Sequence, residues 1–344
     1  MAATSNAANG WGCPRCEVCQ AVIRVRGVER SGAWCKKCIS EVLPFAGIVS
    51  ESDYKTAIRE YREGLQSKAG EFQGMRLDPF DDEMREVLKN VNDTLKGCAY
   101  VSGDGMRDYH KKAVKEEGCS LALMCHNIRS ARGPGLELLE AEIRRWGVSW
   151  DIIGLTETWL DNESEKRLSV EGYRAVCASR KAKSGGGVAL LVKEGLTYRE
   201  RPDLEVFNEG VFESVFVELV RQDGRRNDVV GVVYRPPGGN LKEHDEIMTK
   251  VLEKAKKENC YVMGDFNVDL LKVNQHNPTT DYMSVFTTNS FFPLISLPSR
   301  ITDTTATLID NIWTNNVTAG CSSGLVTVKT FGPPAHIFLC WRPK

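Results

Sequence analysis

From residue 120 onward, short apolar runs alternate with amphipathic stretches and with turns rich in Gly, Asn and Asp. The runs Ser120-Leu121-Ala122-Leu123-Met124-Cys125, Gly187-Val188-Ala189-Leu190-Leu191-Val192, Val215-Phe216-Val217-Glu218-Leu219 and Val229-Val230-Gly231-Val232-Val233-Tyr234 have the length and β-branched content of strands. Two longer segments carry helical spacing. One spans Leu136 to Trp146; the other spans Glu243 to Lys257, with Ile247, Val251 and Leu252 as its buried stripe. Many strands joined by hairpins, with two or three helices outside, predict an α/β sandwich of two stacked sheets. No internal repeat is present.

Three of the apolar runs end on acidic residues. They are Asp151-Ile152-Ile153-Gly154-Leu155-Thr156-Glu157, Cys260-Tyr261-Val262-Met263-Gly264-Asp265-Phe266-Asn267, and Leu308-Ile309-Asp310-Asn311-Ile312-Trp313. An acid and an amide two residues apart leave a strand on the same side, so Asp265 and Asn267 can act together on a water and a phosphate oxygen.

Ahead of this region the pattern fades. Residues 1–10 are small and polar, residues 1–12 read as a disordered lead, and residues 13–45 are rich in cysteine. Residues 46–118 are charged and read as a linker with weak helices, from Glu51 to Glu71 and from Asp81 to Lys96. The repeating strand pattern defines a domain over 119–330.

Composition narrows this picture little. The chain has 344 residues, 42% hydrophobic and 26% charged, with a net charge of −1, so any nucleic-acid surface must be a local patch. No apolar run approaches the ~18 residues of a membrane helix, and the start lacks the basic-then-apolar pattern of a leader, so no membrane partner is expected. Cysteine usage changes more. Five of twelve cysteines fall between Cys13 and Cys38, which favours a metal site in a reducing compartment over a disulfide framework. Cys16-x2-Cys19 and Cys35-x2-Cys38 fit a four-thiolate Zn²⁺ site, with Cys13 as a substitute ligand.

Taken in order, His126-Asn127-Ile128-Arg129-Ser130, Gly154-Leu155-Thr156-Glu157-Thr158-Trp159, Ser184-Gly185-Gly186-Gly187-Val188-Ala189, Tyr234-Arg235-Pro236-Pro237, Gly264-Asp265-Phe266-Asn267 and Leu308-Ile309-Asp310-Asn311-Ile312 resemble the endonuclease/exonuclease/phosphatase superfamily. In particular they resemble the target-nicking endonuclease domain of non-LTR (LINE-type) retrotransposons. The resemblance implies a DNase I-like fold, four layers in which two stacked mixed β-sheets are flanked by helices. It implies a Mg²⁺-dependent hydrolysis that nicks DNA, with Mn²⁺ as an alternative metal. Glu157 and Asn127 would hold the metal, Asp265 would activate water, and Asn267 and Tyr234 would contact the phosphate. Asp310 would orient a histidine from the final strand. Ser299 matches a hydroxyl that relatives place near DNA, and Arg180, Lys181 and Lys183 are candidate backbone contacts. Trp34-Cys35-Lys36-Lys37-Cys38 followed by Leu43-Pro44-Phe45 resembles the end of a PHD-like finger that lacks its middle ligand pair. Element RNA and chromatin are further candidate partners, a nuclear location is implied, and oligomeric state is left open.

One piece departs from the pattern. Relatives close the site with Ser-Asp-His on the last strand, whereas this chain reads Phe331-Gly332-Pro333-Pro334-Ala335-His336-Ile337. Two prolines remove backbone donors where a central strand is expected, so His336 is not taken as the catalytic histidine. One extra base after codon 330 would convert an encoded Ser-Asp-His-Leu-Pro into this string. Residues 331–344 are therefore expected to be an out-of-frame tail, the last strand to be missing and activity to be impaired. The alternative function is a non-catalytic module in which finger and nuclease scaffold bind nucleic acid or protein.

Overall fold

The computed structural model describes residues 72–114, 119–132, 134–181, 185–221, 224, 226–302, 305–318, 321–327 and 337–343. The lead, the cysteine segment with its candidate ligands Cys13, Cys16, Cys19, Cys35 and Cys38, and the helix expected over 51–71 lie outside them, as does Lys183.

In chain order the elements are α1 (Asp82–Val87), α2 (Lys89–Gly97), β1 (Ala99–Ser102), α3 (Met106–Val114), β2 (Cys119–Asn127), α4 (Pro134–Trp146), β3 (Ile152–Thr156) and α5 (Asn162–Glu165). Then come β4 (Tyr173–Ala178), β5 (Val188–Lys193), β6 (Tyr198–Glu200), β7 (Phe207–Asn208), β8 (Phe212–Leu219), β9 (Asp228–Tyr234), α6 (Leu241–Ala255) and β10 (Asn259–Asp265). The chain continues through α7 (Asn277–Thr287), β11 (Phe292–Pro293), β12 (Arg300–Ile301), β13 (Ala306–Thr307), β14 (Asp310–Thr314), β15 (Ser322–Thr327) and β16 (Ile337–Pro343). Among the described residues no helix is long and apolar enough to cross a membrane.

The strands form two large mixed sheets. One runs β1-β15-β16-β2-β3-β5-β4, the other β11-β14-β10-β9-β8-β6 with β7 beside β8. Alternation along β2 shows how they stack. Leu121, Leu123 and Cys125 enter the core between the sheets, while Ala122 and Met124 face the outer layer with Leu139 and Trp146 of α4. Behind the second sheet, Met248, Val251 and Leu252 of α6 and Tyr282 and Phe286 of α7 are buried. The Phe286 ring stacks on Trp313 with centroids 4.0 Å apart. The four-layer DNase I-like sandwich follows. Where the sheets meet most closely, Gly154 faces Met263: a Cβ there would stand 2.8 Å from the methionine methyl.

Two expectations about the flanks are corrected. Residues 72–114 are not a linker from Phe72 on. Leu77, Phe80, Val91, Leu95, Cys98, Val101 and Met106 are buried, and β1 extends the first sheet as a parallel neighbour of β15. The charges that suggested a linker sit on α1, which buries no residue, and on the outer faces of α2 and α3, whose other faces pack.

The last strand is also present. Ile337–Pro343 runs antiparallel to both β15 and β2, in the middle of the first sheet. Cys340 faces the core between the sheets, and Leu339 and Trp341 face the helices. Pro333 and Pro334 precede the strand rather than interrupt it, and Ile337-Phe338-Leu339-Cys340-Trp341 is the continuous apolar run of a strand covered on both faces. Arg342 anchors it, giving Asp228 of β9 a two-pronged ion pair at 2.6 and 2.8 Å and Tyr261 of β10 a hydrogen bond at 3.1 Å.

Candidate active site

The candidate residues gather at one end of both sheets because the ladders bring them there. Asn127 ends β2 and pairs with Thr156, so Glu157 follows one residue beyond the same rung. In the other sheet, Tyr234 and Asp265 end β9 and β10 on a shared parallel rung, and Asp310 opens β14 directly opposite Asp265. Gly264 makes this pairing possible. A Cβ on it would stand 1.8 Å from the Val233 carbonyl oxygen.

The side chains then join the sheets. Asn127 Nδ2 donates to Glu157 Oε1 at 2.9 Å and to Asp265 Oδ2 at 2.8 Å, and the Tyr234 hydroxyl donates to the same Glu157 oxygen at 3.2 Å. With two carboxylates on Nδ2, the orientation of the Asn127 amide is set, and its Oδ1 is a buried acceptor with no hydrogen-bond donor. An orphaned oxygen next to a half-buried carboxylate fits a hard cation that keeps most of its waters, as Mg²⁺ does. Among the described residues no three His, Cys, Asp or Glu side chains converge as a metal cage, so a metal here would rest on few protein ligands.

Backbone strain marks the same place. Glu157 and Asn267 adopt left-handed φ values of +53° and +50°, and Trp159 follows at +54°. Each is held by neighbours. The Asn267 amide donates to Asp265 Oδ1 at 3.1 Å, and its Nδ2 donates to the Arg235 carbonyl at 2.8 Å, leaving one side-chain N–H for a ligand. Thr158 and Trp159 donate their amides to Gly187 and Gly186, tying the Glu157 turn to the β4–β5 hairpin. Burial, then the charges of Glu157 and Asp265, push the Tyr234 hydroxyl well above the ordinary phenol range, so it stays a protonated donor.

The remaining candidates divide. Asp310 is fully buried and accepts a hydrogen bond from Ser299 at 2.6 Å, while Ser299 Oγ accepts the amides of Ile309 and Asp310. Ser299 has 0% exposure, so it braces Asp310 and does not face DNA. Arg180 is also reassigned. It is paired with the buried Glu213, whose second oxygen takes the Gly187 amide at 2.6 Å, so its charge is spent on holding the hairpin. Lys181 is exposed, as a phosphate contact must be.

Sequence reasoning passed over Glu213 and Arg235. A lone acid inside Val211-Phe212-Glu213-Ser214-Val215 and a lone arginine before two prolines were the available signals.

Residues 124–329 match the model of the Endonuclease/Exonuclease/phosphatase family. The chain belongs to that family. A comparison with curated protein sequences gives no match. Solved structures share the fold. The endonuclease domain of TRAS1, a telomere-specific non-LTR retrotransposon, superposes with a TM-score of 0.50 at 15% identity, covering 65% of this chain and 98% of that one. The AP endonuclease LMAP from Leishmania major gives 0.54 at 13% identity, covering 65% of this chain and 88% of its own. The family-matched span holds every candidate named above except the cysteines, and it stops short of both flanks.

Proposed function

We propose that this protein is a Mg²⁺-dependent DNA endonuclease, the nicking domain of a retrotransposon-derived protein. The observation that carries the reading is the Asn127 amide bridging Glu157 of one sheet to Asp265 of the other, with an unmatched oxygen left over. When bound, the cation would neutralise the scissile phosphate beside Glu157 and Asn127. The residues do the rest. Asp265 accepts the proton of the attacking water, its second oxygen steadied by Asn127. Asn267 and Tyr234 offer N–H and O–H donors to the phosphate as charge grows on it. Asp310, braced by Ser299, faces the same rung and is suited to orient a histidine.

Exposed Lys181 supports a DNA backbone contact, and Lys183 remains a sequence-based partner to it. The Zn²⁺ site of Cys16, Cys19, Cys35 and Cys38, contact with RNA or chromatin, and a nuclear location rest on sequence alone. The wild-type rate is expected to be low, because Phe331-Gly332-Pro333-Pro334-Ala335-His336 contains no Ser-Asp-His. The same string favours the second reading, a nuclease scaffold kept for binding.

A plasmid-nicking assay with the full chain separates the two. Nicking that needs Mg²⁺ and falls ~10²–10⁴-fold in Glu157→Gln and in Asp265→Asn is the expected result. DNA retention with no Mg²⁺-dependent nicking would move the binding module ahead.

A further inference from the structure

Arg235 is 7% exposed, and no carboxylate accepts any of its described hydrogen bonds. The guanidinium instead gathers three carbonyl oxygens. One terminal nitrogen donates to Phe266 and Asn267, both at 3.2 Å, and the other to Gly239 at 2.7 Å. The backbone of the residue completes the clasp. Its amide donates to the Asp265 carbonyl at 3.0 Å, and its carbonyl receives Asn267 Nδ2. A cation buried on carbonyls alone is costly unless its geometry serves something.

We propose that Arg235 is the positioning residue of this site: its fork holds Asp265-Phe266-Asn267 in the left-handed turn that aims the Asp265 carboxylate and the Asn267 amide. Residue 267 turns left-handed, a conformation that asparagine accepts more readily than other non-glycine residues but that an unconstrained segment would still leave. Left to itself the segment would relax, carrying both groups away from the Asn127 bridge. Arg235 opposes this by collecting the carbonyls on both sides of the strained residue. Only a planar fork reaches acceptors on two segments together; a lysine ammonium in its place has one nitrogen and a longer lever.

The catalytic consequence rests on the nuclease reading, and the experiment keeps the two apart. Arg235→Lys and Arg235→Met are made in the full chain, with Mg²⁺ and supercoiled plasmid as probes. In both, kcat is expected to fall ~10²-fold with KM for DNA within ~3-fold. Added guanidinium should partly restore Arg235→Met. A parallel loss in KM and no rescue would overturn the proposal. Hydrogen exchange supplies a readout that needs no activity. The Asn267 amide, bonded to Asp265 Oδ1, should exchange ~10-fold faster or more in Arg235→Lys, while amides in β9 and β10 keep their protection. Wild-type rates at Asn267 would overturn the positioning role even if the protein proves not to cut DNA. If Arg235→Met fails to fold, Arg235→Lys carries both readouts.

Discussion

Residues 72–114 and residues 337–343 both lie outside the family-matched span, and both fold onto the same sheet, but they do so differently. The first flank adds at the edge. β1 pairs only with β15, and α2 closes a small satellite core of Phe80, Val91 and Leu95. Arg76 pins it, donating to the carbonyl oxygens of Leu95 and Cys98 within the flank and to Ser296 Oγ outside it. The second flank is inserted at the centre. β16 separates β15 from β2, is buried on both faces, and crosses to the other sheet through Arg342. The two also meet, since the Tyr109 ring of α3 packs on Trp341 with centroids 5.6 Å apart. An edge addition lends stability to a sheet that already exists, whereas a central strand is a condition for that sheet.

Truncation breaks the comparison most directly. A chain stopped after residue 336 is expected to lose cooperative thermal unfolding, because β2 and β15 each lose one of their two neighbours and the first sheet is cut in two. A chain begun at residue 99, keeping β1 and α3, should still unfold cooperatively at a lower temperature. Equal behaviour of the two would erase the distinction drawn here. Arg342→Ala tests the crossing contact alone. It leaves Asp228 buried with only Arg221 beside it, and denaturant unfolding should show a loss of about 3–5 kcal/mol.

The third prediction concerns chemistry. Ile337 sits opposite His126, one residue from Asn127, so the chain enters β16 beside the site. The objection to His336 was that its two neighbouring prolines would break a central strand, and the strand begins after them. His336→Ala is therefore expected to lower nicking by about 10²-fold, equal to ~2.7 kcal/mol of barrier, with unfolding unchanged. No change in rate would leave the second flank purely structural. Smallest is Leu95→Ala in the edge flank, expected to cost about 2–3 kcal/mol in stability while leaving nicking intact.

What the sequence disclosed follows the same division. Asn127, Glu157, Tyr234, Asp265 and Asp310 were legible because each sits at the end of an apolar run, and strand ends meet at one rim of a sandwich. Ser299 and Arg180 were misread because residue type does not report burial. A serine near the rim and an arginine near a glycine turn look like surface donors until Asp310 and Glu213 are seen to consume them. Arg235 gave little signal, since its partners are backbone carbonyls, which leave no mark on a sequence. The flanks were missed for opposite reasons. In α2 and α3, abundant charge masked a one-sided apolar face. In β16, the expectation of Ser-Asp-His outweighed five consecutive apolar residues.

The left-handed turns at Glu157 and Asn267 carry one more consequence. Glycine would accept both conformations without penalty, so Glu157→Gly and Asn267→Gly would each relax the backbone while deleting a group the chemistry needs. For this fold, drifting away from catalysis is a downhill path in conformational energy. The wound-up turns at both positions are a spring that a purely architectural scaffold would have no reason to keep compressed.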